Sequence, residues 1–104
     1  MSTDLNIAKE ITGEVLTVHI NCDLNIKTSP LFEEDVKKSL GGVKKLILDF
    51  TNVEYISSAG LRVILGLEKA MRRQGGKMKL LHVNPAVKEI IKLAGFLQVM
   101  TIED

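Results

Sequence analysis

The sequence predicts a single α/β domain on a mixed β-sheet, and three observations carry that reading. Near the start, Leu5-Asn6-Ile7 and Val15-Leu16-Thr17-Val18-His19-Ile20 alternate apolar and polar residues around Thr12-Gly13-Glu14, the pattern of an antiparallel hairpin. Further on, short apolar runs alternate with longer stretches whose apolar residues recur every three to four positions, which reads as strand–helix–strand units. The length of 104 residues fits one domain with one core. The expected architecture is a mixed sheet of four to five strands with right-handed crossovers and three to four packed helices, in one domain over residues 1–104.

The elements follow in order. After the hairpin, Thr28-Ser29-Pro30 opens a helix, with a hydroxyl as cap and Pro30 in the first turn. Glu33, Glu34 and Asp35 are expected near the positive end of its dipole, Phe32, Val36 and Leu40 form its buried face, and Gly41-Gly42 ends it. Leu46-Ile47-Leu48-Asp49-Phe50 reads as a strand covered on both faces. Residues 51–56 connect it to a long helix from about Ala59 to Gln74, with Leu61, Ile64, Leu65, Leu67, Ala70 and Met71 on its apolar side and Gly75-Gly76 as its stop. Met78 to Val83 reads as a further strand. Asn84 then caps a third helix with Pro85 in its first turn; Val87, Ile90, Ile91 and Ala94 line one face, and Gly95 closes it. Leu97 to Ile102 supplies a last edge strand.

Composition excludes several function classes. Fourteen basic and 13 acidic side chains leave a formal net charge of +1, so no electrostatic footprint for nucleic acid or an anionic membrane is expected. Hydrophobic residues at 45% and charged residues at 26% separate the chain from disordered proteins. One cysteine, Cys22, cannot form an intrachain disulfide and fits a reducing compartment. Met1 to Asp4 show no secretory signal, Thr101 to Asp104 no lipidation signal, and no apolar stretch approaches the roughly 20 residues that span a bilayer. The expectation is a cytoplasmic monomer.

Conventional catalytic equipment is thin. His19 and His82 lie in strands without Cys or His at metal-ligand spacing, so neither a metal nor a cofactor is expected. Cys22 reads as a packing residue. Ser58, His82 and Asp49 form a trio on paper, but the surroundings of Ser58 are not a nucleophile elbow, so no catalytic residue is assigned and the chain is not expected to be an enzyme. Asp49 ends a strand and reads either as a site carboxylate or as a cap on the following turn. The basic cluster Lys69, Arg72, Arg73, Lys77 and Lys79 is explained by a helix C-terminus, with Glu68 pairing Arg72.

The segment Asp49-Phe50-Thr51-Asn52-Val53-Glu54-Tyr55-Ile56-Ser57-Ser58-Ala59-Gly60-Leu61 stands apart. One of Ser57 and Ser58 is expected to cap the long helix. A glycine in a first helical turn costs about 0.5–1 kcal/mol relative to alanine, and Gly60 is expected to leave the serine end open to a close approach.

This segment resembles the signature of the STAS domain, the fold of bacterial anti-sigma factor antagonists: a strand ending in Asp and a hydrophobic residue, then Asp-Ser-Ser/Thr-Gly-Leu at a helix N-terminus. The resemblance extends to the helix opening at Thr28-Ser29-Pro30 and to Asn84-Pro85-Ala86-Val87 through Leu93-Ala94-Gly95-Phe96. It implies that Ser58, placed at the helix cap, is phosphorylated by a partner anti-sigma factor that is a serine kinase. Asp23, Asn25, Ser57, Ala59, Gly60, Leu61 and Arg62 would surround it and bind the partner, and a serine phosphatase is a further implied partner. Unphosphorylated, such a protein sequesters the anti-sigma factor and frees the sigma factor for transcription; phosphorylation releases it. Three positions depart from the signature: Ser57 stands for its Asp, Ala59 for its second Ser/Thr, and Asn25, in Cys22-Asp23-Leu24-Asn25, for the Asp of a Gly-x-Leu-Asp motif. The acceptor is thereby less acidic, which supports an alternative: a non-switching STAS subunit of a lipid- or anion-transport assembly.

Overall fold

Gly13 adopts φ +62°, a left-handed conformation that glycine reaches without a Cβ clash, and it turns the chain between β1 (Ile7–Thr12) and β2 (Val15–Ile20). In the computed structural model, which describes residues 5–103, there follow α1 (Thr28–Lys37), β3 (Lys45–Asp49), α2 (Ser58–Arg73), β4 (Lys77–Leu81), α3 (Pro85–Leu93) and β5 (Thr101–Glu103). The terminal residues read above for targeting signals, Met1 to Asp4 and Asp104, lie outside the described residues. The sheet runs β1-β2-β3-β4-β5; β1 and β2 are antiparallel and every later pair is parallel. The mixed sheet and the three helices are those expected from the sequence.

Register decides which face is buried. Leu16, Leu46 and Met78 are neighbours across β2, β3 and β4, as are Val18, Leu48 and Leu80, and all six are buried. Phe32 and Val36 from α1, Ile64, Leu67 and Met71 from α2, and Val87 and Ile91 from α3 join the same cluster. Residues of opposite parity, Thr17, His19, Ile47, Asp49, Lys79 and Leu81, stay partly exposed. The strand expected to be covered on both faces is therefore covered on one, and its apolar run reflects Ile47 on the more open face. Among the described residues no helix is long and apolar enough to cross a membrane.

Several boundaries differ from the sequence reading. The first strand is Ile7–Thr12 rather than Leu5–Ile7 and runs straight into the turn, fixed by its pairing with β2. In α1 the N-cap is Lys27, with no side-chain cap bond. Instead Asn25 Oδ1 accepts the N–H groups of Lys27 and Thr28, both at 2.9 Å, while the Thr28 hydroxyl donates to the carbonyl of Asp23 at 2.7 Å. Glu33, Glu34 and Asp35 fall beyond the first turn. The helix ends at Lys37, before Leu40 and the glycine pair, yet Leu40 stays buried. β4 stops at Leu81 because His82 turns left-handed, at φ +59°. The last strand shrinks to Thr101–Glu103.

Candidate functional site

The connection from β3 to α2 is pinned along its length before it delivers the serine pair. Asp23 Oδ1 accepts the N–H groups of Glu54 and Tyr55 at 2.9 and 3.2 Å. Asn84 Nδ2 donates to the carbonyl of Val53 at 3.0 Å. Leu24 and Ile56 form an isolated parallel bridge, and the carbonyl of Leu24 accepts the N–H of Ser57 at 2.8 Å. The loop after β2 and the start of α2 are thus stitched together by backbone.

Ser57, not Ser58, is the cap. It is extended (φ −88°, ψ 173°), and its hydroxyl accepts the N–H of Gly60 at 3.2 Å, satisfying one of the free donors of the first turn. Ser58 is the first helical residue and is exposed; among the described residues its hydroxyl makes no hydrogen bond. The placement of Ser58 at the cap is corrected by one residue. The correction separates two jobs: Ser57 holds the helix end, and Ser58 presents an uncommitted hydroxyl beside it.

Gly60 also acts differently from expectation. A Cβ there would lie 2.6 Å from Ile56 Cγ1 and 2.9 Å from both Cβ and the carbonyl oxygen of Leu24. What approaches it closely is the chain's own Leu24–Ile56 bridge, and the glycine lets the helix start pack onto that bridge. Ala59 is half-buried, Leu61 is buried, and Arg62 is exposed. Asn25 and Asp23 sit next to the site in the chain, but their side chains are engaged with α1 and with residues 54 and 55; neither bonds to Ser57 or Ser58. A shallow groove of about 350 Å³ runs beside the start of α2, lined by Ser58, Leu61, Arg62, Leu65, Ala94 and Phe96. Phe96 escaped the sequence reading as a groove residue because the return of the chain after α3 places it there.

A second cluster was also missed. The parallel register sets His19 opposite Asp49, and His82 follows β4 on the other side. His19 Nδ1 lies 2.9 Å from Asp49 Oδ2 and its Nε2 2.9 Å from Glu10 Oε2. Asp49 Oδ1 accepts the Thr51 hydroxyl at 2.6 Å, the Thr51 N–H at 3.0 Å and lies 3.1 Å from His82 Nδ1. Burial alone would raise the carboxyl pKa; the hydrogen bonds from Thr51, His82 and His19 outweigh it and hold Asp49 well below the usual carboxylate range. The same geometry raises His19, first through Asp49 and then through Glu10. With both carboxylate oxygens engaged, Asp49 caps the turn after β3, the second of its two sequence readings. The trio of Ser58, His82 and Asp49 is not assembled: His82 meets Asp49, but neither side chain bonds to Ser58. Among the described residues no group of His, Cys, Asp and Glu is placed to hold a metal ion.

Among the described residues no base is hydrogen-bonded to the exposed Ser58 hydroxyl. Comparisons with known proteins agree with the frame around it. The STAS domain family matches residues 6–104. BtrV of Bordetella bronchiseptica is 38% identical over 61 residues, 59% of this chain and 53% of that protein, so the match spans about half of that relative's length. The anti-sigma F factor antagonist of Paenibacillus polymyxa is 29% identical over 103 residues, 97% of this chain and 88% of the relative. The crystal structure of TM1081 from Thermotoga maritima superposes with a TM-score of 0.87 at 28% identity, over 94% of this chain and 86% of the other. The Bacillus cell fate determinant SpoIIAA, solved in its phosphorylated form, shares the fold at TM-score 0.74 and 18% identity, over 95% of this chain and 92% of its own. With its hairpin-led mixed sheet, its serine pair at the start of α2 and a family match from residue 6 to residue 104, this chain belongs to the STAS domain family.

Proposed function

We propose that the chain is an anti-sigma factor antagonist that binds a kinase-type anti-sigma factor when Ser58 is free and lets it go when Ser58 is phosphorylated. The observation that carries this reading is the division of labour at the start of α2: Ser57 caps, and Ser58 leaves its hydroxyl exposed and unbonded among the described residues. The reaction belongs to the partner. Its nucleoside triphosphate supplies the γ-phosphoryl group, the Ser58 Oγ–P bond forms as the bond to the departing diphosphate breaks, and the hydroxyl proton passes to a base on the kinase. A serine phosphatase would reverse the modification with water as acceptor.

The physics favours an effect on binding rather than on folding. A phosphoryl group adds about −1.5 to −2 charges at neutral pH. At a helix N-terminus that charge meets free N–H groups and the positive end of the dipole, so the domain tolerates it. A partner surface that packs on a neutral serine instead meets a bulky anion, and desolvating that net added charge costs several kcal/mol, enough to abolish micromolar association. Ile26 and Tyr55, 78% and 52% exposed on the two loops stitched together before α2, give a docking partner apolar contact nearby.

Incubation with a candidate kinase-type anti-sigma factor and ATP, followed by intact mass, tests the proposal. The wild type and Ser57→Ala gain one phosphoryl mass, and Ser58→Ala does not. A gain retained in Ser58→Ala refutes the assignment. No gain with any such kinase favours the non-switching alternative, for which the absence of a carboxylate at Ser57 and Asn25 speaks.

A further inference from the structure

We propose that Arg62 is the intramolecular partner of the phosphoryl group on Ser58, so that modification both adds an anion and withdraws a guanidinium from the docking surface. The inference deepens the reading of Ser58 as phosphoacceptor and rests on it. Ser58 and Arg62 are four residues apart on α2 and line one groove. Residues at that spacing are neighbours on a helix face, about 5–6 Å apart at Cβ, and an acid placed N-terminal to a base is the favourable order. Among the described residues Arg62 has neither a salt-bridge nor a hydrogen-bond partner. Arg72, on the same helix, is by contrast held by Glu68 at 2.7 Å and by the carbonyl of Val99 at 3.2 Å. Arg62 is thus a cation with reach and without a commitment.

The surroundings strengthen the pair. Leu61, Leu65 and Phe96 form an apolar flank to the groove, which lowers the local dielectric and strengthens a charge-assisted bond. A guanidinium binds phosphate through two parallel N–H···O bonds, which a lysine cannot reproduce. In the unmodified protein Arg62 is exposed, and its guanidinium is available to a carboxylate on the partner. In the phosphorylated protein it folds back one turn, and the surface changes from a neutral hydroxyl beside a free cation to a net anion.

The test needs no kinase. Phosphoserine is incorporated at position 58 during translation, and the phosphate is titrated by phosphorus NMR in the wild type, Arg62→Gln and Arg62→Lys. The helix N-terminus acts equally in all three, so the difference isolates Arg62. The second phosphate pKa is expected about 0.2–0.4 pH unit lower in the wild type than in Arg62→Gln, with Arg62→Lys between them. Wild type and Arg62→Gln titrating together overturns the proposal, as does Arg62→Lys matching Arg62→Gln. Arg62 is exposed, and equal melting temperatures of the unmodified proteins verify that the variants fold. Because phosphate is installed directly, this result is independent of the kinase assay: failure there fells the regulatory reading, and failure here fells only the role of Arg62.

Discussion

One added methyl group at Gly60 probes how the site is held. In Gly60→Ala the new Cβ would come within 2.6 Å of Ile56 Cγ1 and 2.9 Å of both Cβ and the carbonyl oxygen of Leu24. Leu24 is 0% and Ile56 1% exposed. The carbonyl is backbone that holds the N–H of Ser57 at 2.8 Å, so no one of the three can swing aside alone. Overpacking of this kind costs about 1–3 kcal/mol. Alanine regains up to about 1 kcal/mol of helix preference over glycine, and less in a first turn. The net expectation is a loss of about 1–2 kcal/mol, a fall in Tm of roughly 4–16 °C for a domain of this size. Thermal melting followed by circular dichroism, with urea unfolding at 25 °C, measures it. Relieving the clash also moves the Leu24 carbonyl away from Ser57, so phosphorylation by a competent kinase slows beyond the unfolded fraction. A variant that melts at or above the wild-type temperature refutes the close-packing argument and returns Gly60 to the role of an open door.

Gly66→Ala, on the same helix, is the opposite case: its Cβ would meet only Glu33 Oε2, at 3.7 Å, so the variant is expected to gain about 0.5–1 kcal/mol in urea unfolding. Ser57→Ala loses the cap and is expected to cost about 1 kcal/mol, while Ser58→Ala stays within about 0.5 kcal/mol of wild type; equal losses would show that the two serines share the cap. Ser58→Asp places an acid at the positive helix end and keeps the melting temperature, but weakens binding of the anti-sigma factor by titration calorimetry; unchanged affinity would separate charge from release. The His19 pKa is raised in the folded protein, so its stabilisation is complete below the ordinary histidine value of about 6.5 and is lost as pH rises through the folded value. The urea midpoint of the wild type, less that of His19→Gln, is therefore expected to shrink between pH 6 and 9; a difference that grows with pH would invert the assignment.

Local chemistry determined much of this protein before any packing was considered. Asn84 caps α3 with Pro85 at its first position, as the dipeptide requires, and Val87 Nα–H meets Asn84 Oδ1 at 2.7 Å. The apolar stripe of α2 and the buried parity of β2 follow from periods of 3.6 and 2 that the residues carry themselves. The serine pair stood out in the sequence because it opens a long helix beside a glycine, and the family resemblance, which the family match bears out, drew on the same residues. Tertiary structure decided the rest. β1 is an edge strand, exposed along most of its length, so it shows little hydrophobic period and only its pairing with β2 fixes its ends. Which serine caps depended on where Leu24 places its carbonyl, a contact across 33 residues. The use of Gly60 was invisible because the atoms it makes room for belong to Leu24 and Ile56. His19, Asp49 and His82 lie about 30 positions apart and meet because parallel strands bring their carboxyl ends to one edge. Short-range physics sets caps, turns and amphipathic faces. Where two distant backbones touch is settled only by the folded chain, and the contact of Leu24 with Ser57 fixes which serine caps α2.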